Sequence, residues 1–336
     1  EYDFDGKFRA LVGKTNTSIQ KEIEDDFPHL PLGCTIILEK KAKESILQNI
    51  KKATSFNKAQ LLIKLRNYQH QTALPLNLKN FSTFYHIPLQ NIYKKGNWKR
   101  LCVLAEQTED YPTNNEKEIH RTVKNTWLSC NSNSYFKFIL SLAKKDFGIN
   151  FDYFNKEEKA MCLMLHYDVW QTAGNFNSLE ESIKKIGENT TLTDEIIEVL
   201  EILINRIDFI ERDIRLPFSQ PLKVHSRYTR SQILAAFGFH SFTKKSEIRE
   251  GVAFSKEKNT ELLFVTLNKS EKDFSPTTLY NDFAISETIF HWQSQNESKP
   301  DSGKGLSYVQ HKENEKIILL FVREKNKDEF GKIGRA

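Results

Sequence analysis

The hydrophobic periodicity of this chain changes once, at Leu216-Pro217 and Gln220-Pro221, and that change constrains the fold more than any other feature. Proline disfavours helix at the residue before it, so two prolines this close mark a boundary. Upstream, the pattern is helical. Ile196, Leu200, Leu203, Ile207 and Ile210 recur at spacings of three and four, with Glu195, Glu198, Glu201 and Arg212 between them, which predicts an amphipathic helix with one buried stripe. Thr193 is the expected N-cap, followed by Asp194 and Glu195 in the first turn. Lys43–Ile50, Ala59–Asn67, Tyr135–Ala143 and Lys159–Trp170 repeat the style.

Downstream, one short helix is expected. Thr229 with Gln232 three residues later makes a capping box, and Gly238 stands where a left-handed C-terminal residue belongs. After it, Leu262–Leu267, Ile285–Ser294 and Ile317–Arg323 are β-branched or aromatic runs bounded by turn formers. The sequence therefore predicts an α+β chain: a helical unit over 1–215 and a small, curled β domain over 216–336.

The longest clean apolar run, Ile317–Val322, falls far short of the roughly 20 residues a membrane helix needs. Cys34, Cys102, Cys130 and Cys162 are scattered without a C-x-x-C pair, so reduced, mostly buried thiols are expected rather than staples or metal ligands. The acidic start at Glu1 has no initiator Met and no apolar signal, which predicts a piece of a longer, cytoplasmic polypeptide.

Charge is informative mainly by position. The chain carries 49 basic and 44 acidic side chains, but from residue 221 onward there are 19 basic and 15 acidic, so most of the +5 excess is C-terminal. Lys223, Arg227, Arg230, Lys244, Lys245 and Arg249 cluster there. Such a bias permits phosphate contact and is equally compatible with a solvated surface.

Familiar catalytic patterns fail. Gly13-Lys14-Thr15 lacks the glycine five residues earlier that a phosphate cradle needs, because that position is Phe8. Gly303-Lys304-Gly305 predicts a hairpin or surface loop. No zincin motif, nucleophile elbow or zinc-spaced Cys/His cluster occurs, and His311-Lys312 is adjacent rather than alternate. No catalytic residue and no metal site is expected in this stretch.

The segment around 262–295 carries the most chemistry. Tyr280, Asp282, Phe283, His291, Trp292, Gln293 and Gln295 crowd together. If Thr288–Gln295 is one strand, Phe290 and Trp292 share an apolar face while His291, Gln293 and Gln295 share a polar one. One outcome is plain packing with a solvated polar row. The other is a slot for one flat polar ligand, with rings to stack on it and a carboxylate to accept from an exocyclic amine. A flipped nucleobase is held in that way.

Several strings resemble one known family. They are Val224-His225-Ser226-Arg227-Tyr228-Thr229-Arg230, Phe264-Val265-Thr266-Leu267-Asn268-Lys269-Ser270, the stretch from Ser275 to Gln295, and Leu320-Phe321-Val322-Arg323-Glu324. Near the start, Leu11–Ile19 and Phe27–Cys34 join them. Together they resemble the C-terminal region of SauUSI-like, ATP-dependent type IV restriction enzymes, which pair a phospholipase-D-like nuclease and a helicase motor with a reader of modified cytosine. The resemblance implies a β-barrel-like domain of SRA or PUA type over 216–336, with further strand past Phe330-Gly331, that flips 5-methylcytosine or 5-hydroxymethylcytosine. Over 1–215 it implies a helical coupler that follows the motor.

By the same resemblance, Tyr280 would stack, Asp282 would read the base, and Trp292 or His291 would form the second wall. Lys223, Arg227, Arg230 and Lys269 would meet backbone phosphates. No cofactor is implied for this stretch; ATP and a divalent metal would serve the full-length enzyme. The expected partners are double-stranded DNA with modified cytosine, the helicase and nuclease domains of the same polypeptide, and a second copy if the enzyme is a homodimer. A competing expectation is a protein-interaction or dimerisation scaffold without a base pocket.

Overall fold

A computed structural model describes residues 23, 37–54, 57–248, 250–268, 282–286, 289–294, 298–325 and 330–335. The chain divides into two compact units, Glu1–Lys64 and Leu65–Ala336. In the first, helix α1 covers Lys40–Thr54, and α2, Lys58–Gln71, runs across the boundary.

The second unit begins with short helices: α3 (Leu78–Phe84), α4 (Leu89–Tyr93), α5 (Trp98–Leu104) and α6 (Glu116–Thr122), the last widening into a π-type turn at Val123–Trp127. Three longer helices follow, α7 (Asn133–Ala143), α8 (Lys156–Val169) and α10 (Thr190–Asn205), with the short α9 (Leu179–Lys184) before the last. Asparagine and serine caps set the starts. Asn77, Asn97, Ser132, Asn155, Ser178 and Asn189 each accept a first-turn amide.

The N-cap of α10 is Asn189, four residues before the expected Thr193, and the helix stops at Asn205. Ile196, Leu200 and Leu203 are buried as the stripe predicts, whereas Ile210, beyond the helix end, is 83% exposed. Glu195 reverses its expected position: it is fully buried on this helix. It accepts the Tyr93 hydroxyl at 2.5 Å and the backbone amides of Trp98 and Lys99 at 3.0 and 2.9 Å. Its carboxylate satisfies the α5 N-terminus, a role the helical period alone does not reveal.

After the prolines the chain forms β1 (Arg227–Tyr228), α11 (Arg230–Ala236), β2 (Val252–Ser255), β3 (Thr260–Asn268), β4 (Phe283–Ala284), β5 (Phe290–His291), α12 (Gly303–Val309), β6 (Ile317–Lys325) and β7 (Phe330–Arg335). The Thr229–Gln232 capping box is present, and Gly238 has φ +79 as its C-terminal position requires. Five strands pair in the order β1-β7-β6-β3-β2, with β3 and β6 parallel and the other pairs antiparallel. The two parallel strands are joined by a crossover that contains α12. They read as near-continuous apolar runs because both faces are covered. Phe264 lies beside Phe321 in register, their rings stacked at 5.7 Å.

The molecule is thus α+β, and its described strands make an open five-stranded sheet and a separate two-stranded hairpin, β4-β5. Two local expectations are corrected. Ile285–Ser294 is not one strand: the chain turns at Ile285-Ser286, where both amides donate to the Ile289 carbonyl. Gly303-Lys304-Gly305 opens α12 rather than a hairpin, and Gly305 is buried so closely that a Cβ there would lie 1.9 Å from the Lys299 carbonyl oxygen.

Cys102, Cys130 and Cys162 are buried, and Cys34 lies outside the described residues. No described helix is long and apolar enough to cross a membrane. The described residues contain no cluster of three metal-ligating side chains.

Candidate nucleic-acid recognition site

The β4-β5 hairpin gathers five of the seven candidate pocket residues. Phe283 pairs with His291 and Ala284 with Phe290. The Gln293 amide, just past β5, donates to Asp282 Oδ1 at 2.9 Å, closing the open end. Asp282 is only 7% exposed. An acceptor at that depth must be satisfied, so this bond makes the carboxylate part of the hairpin's own construction.

The Phe283 and His291 rings lie 4.9 Å apart at 31°. Rings in direct contact leave no space for a third between them, so a flat ligand here must stack on an outer face. Phe283 offers one, being 44% exposed. His291 Nδ1 is buried and has no hydrogen-bond partner among the described residues. Trp292 packs edge-on against Tyr308 of α12, at 5.2 Å and 90°. Behind it, Lys316 Nζ meets Glu261 Oε2 at 3.0 Å in a nearly buried ion pair and lies 4.4 Å from the Phe254 ring centre. Burial and the adjacent Glu261 raise the Tyr308 phenol well above its ordinary value, so the ring stays neutral.

Tyr280, Gln295 and Lys269 lie outside the described residues. Of the other three cations expected at phosphates, Lys223 pairs with Asp213 at 2.5 Å. Arg230 donates to the Glu250 carbonyl at 2.7 Å and sits over the Phe264 ring at 4.2 Å. Burial and the nearby Arg323 pull Arg230 down to about 10. Arg227 is exposed; its backbone amide is anchored by Asn131 Oδ1 at 2.6 Å.

A polar seam that the sequence did not disclose joins this part to the helices. Asp168, within the buried C-terminal end of α8, is 3% exposed. Its Oδ2 accepts Trp127 Nε1 at 3.1 Å, the Tyr135 hydroxyl at 2.9 Å and Gln232 Nε2 at 2.9 Å. Glu211 forms a second junction. It accepts the hydroxyls of Ser132 and Ser226 at 2.8 and 2.6 Å and the Ser134 amide at 2.8 Å. Tyr228 completes it by donating to Ser132 Oγ at 2.9 Å. A lone Asp between Tyr167 and Val169 was the available signal, but nothing in sequence spacing names its partners.

No curated protein matches the chain. Residues 222–336, about the last third, match a family model described as a domain of unknown function, DUF3427.

Proposed function

We propose that residues 222–336 form an SRA-like DNA-recognition domain that takes an extruded, modified cytosine at the β4-β5 hairpin. The helical part rigidly relays that event to a motor and nuclease on the same polypeptide. The observation carrying this reading is the convergence of Asp282, Phe283, His291, Trp292 and Gln293 on one hairpin, with an exposed ring and an imidazole nitrogen that has no hydrogen-bond partner among the described residues. Flipped bases are read by stacking together with hydrogen bonds to their edges, and those groups supply both.

A 5-methyl group is a small apolar knob, so selectivity over plain cytosine is about 1–3 kcal/mol per site. ATP and a divalent metal would act in the motor and nuclease. The polar seam supports coupling: hydrogen-bonded carboxylates at Asp168, buried, and Glu211, half-buried, resist separation of the two parts.

The test places 2-aminopurine beside 5-methylcytosine in a duplex. Its fluorescence should rise when the chain is added and stay low beside unmodified cytosine. An equal response, or none, contradicts base extrusion. Light scattering that shows a dimer indifferent to DNA would favour the scaffold.

A further inference from the structure

Asn131 and Arg227, sequence neighbours of the seam residues Ser132, Ser226 and Tyr228, line a cavity of about 400 Å³ to which both parts contribute. Arg206, at the C-terminal cap of α10, comes from the helical part; His225 comes from the segment leading into β1, and Arg227 opens that strand. Leu203 and Phe209 supply apolar wall.

Neither guanidinium has a hydrogen-bonding or ionic partner among the described residues, although Asp208 lines the same cavity. Arg206 is exposed overall, and partial desolvation by the cavity wall lowers its guanidinium from the ordinary value. That contrasts with Arg100, whose guanidinium is clamped by Asp110 and Glu116 at 2.5 and 2.8 Å. His225 is held at φ +73, a left-handed backbone that L residues seldom adopt, and Asn131 pins the Arg227 amide beside it. The backbone here is therefore fixed, while its two guanidinium groups have no partner among the described residues.

We propose that Arg206 and Arg227 clasp one phosphate group of duplex DNA in this notch, with His225 as a third donor. Guanidinium forks suit phosphate because they donate in parallel pairs, and such contacts set register without reading sequence. The assignment rests on the DNA-binding part of the proposed function but not on the base pocket. A phosphate bridging α10 and β1 would tie DNA engagement to both sides of the seam.

The experiment is fluorescence anisotropy of a labelled duplex with the whole chain across a salt series, for wild type, Arg206→Gln/Arg227→Gln and Arg206→Lys/Arg227→Lys. Each phosphate-neutralising arginine contributes about one unit to the slope of log affinity against log salt. The Gln pair should lower that slope by up to about 2 and weaken modified and unmodified duplexes by the same factor, about tenfold or more. The Lys pair should keep most of the slope. If the Gln pair does not fold, Arg227→Gln alone, at an exposed position, should still lower the slope by about 1.

An unchanged slope in a protein that binds DNA overturns the notch and leaves the base pocket standing. No DNA binding by wild type overturns the proposed function itself. Inorganic phosphate that raises the wild-type melting temperature but not the variant's, with the DNA slope unchanged, would assign the notch to a free phosphate ligand and overturn the DNA assignment.

Discussion

Gln232 Nε2 donates to Asp168 Oδ2 at 2.9 Å, so the residue that completes the α11 capping box also fastens that helix to α8. One side chain thus serves local structure and the join between the helical and β parts.

Asp168→Ala should destabilise the protein by about 3–5 kcal/mol, because it leaves the Trp127, Tyr135 and Gln232 donors buried without an acceptor. Gln232→Ala should cost less, about 1–3 kcal/mol. Urea unfolding followed by tryptophan fluorescence checks both. If Asp168→Ala unfolds at the wild-type midpoint, the seam does not hold the two parts together.

Stability should depend on pH in two opposing ways. His240, 2% exposed, accepts the Ser246 amide on Nδ1, and burial with Lys245 nearby pulls it down to about 4. Its folded state therefore binds fewer protons than the unfolded chain, so its contribution is intact above pH 6.5 and is lost as pH falls toward 4. Glu195 is pushed up by burial to about 7 from 4.5, so its contribution declines as pH rises between those values. The difference between wild type and His240→Asn isolates the first effect. It should shrink by roughly 3 kcal/mol at most between pH 7 and pH 4. A difference independent of pH would contradict the buried neutral imidazole.

Gly305→Ala should disrupt the start of α12, since the new Cβ would stand 1.9 Å from a backbone oxygen. The loss should release Tyr308 from Trp292 and raise hydrogen exchange through the β4-β5 hairpin. Exchange confined to α12 would show that the hairpin holds its shape without that contact.

Asp282→Ala should weaken binding to a methylated duplex by about 1–3 kcal/mol and affect the unmodified duplex less. Titration by mobility shift measures both. Equal weakening would mean that the carboxylate only builds the hairpin.

Much of the architecture was legible because it follows from period and punctuation. The α10 stripe, the Thr229–Gln232 box, Gly238 and the β3 and β6 runs each depend on residues close in sequence. The errors share a different cause. Glu195 reads as a solvent-facing charge until tertiary packing brings three donors to it, and Asp168 reads as an interruption until Gln232 arrives 64 positions later. Ile285–Ser294 has strand composition throughout, yet the chain turns at Ile285-Ser286 and only Phe290–His291 of that run is strand among the described residues. At the candidate site, sequence crowding named the hairpin residues but could not show that Phe283 and His291 already touch, nor that Arg206 and Arg227 would line one cavity.

The most direct measurement compares fluorescence anisotropy of otherwise identical duplexes carrying cytosine, 5-methylcytosine or 5-hydroxymethylcytosine, with wild type and Trp292→Ala. Wild type should prefer the modified duplexes by about 1–3 kcal/mol, and Trp292→Ala should erase that preference while retaining salt-dependent binding. Equal wild-type affinity for all three duplexes would contradict recognition of modified cytosine by this domain.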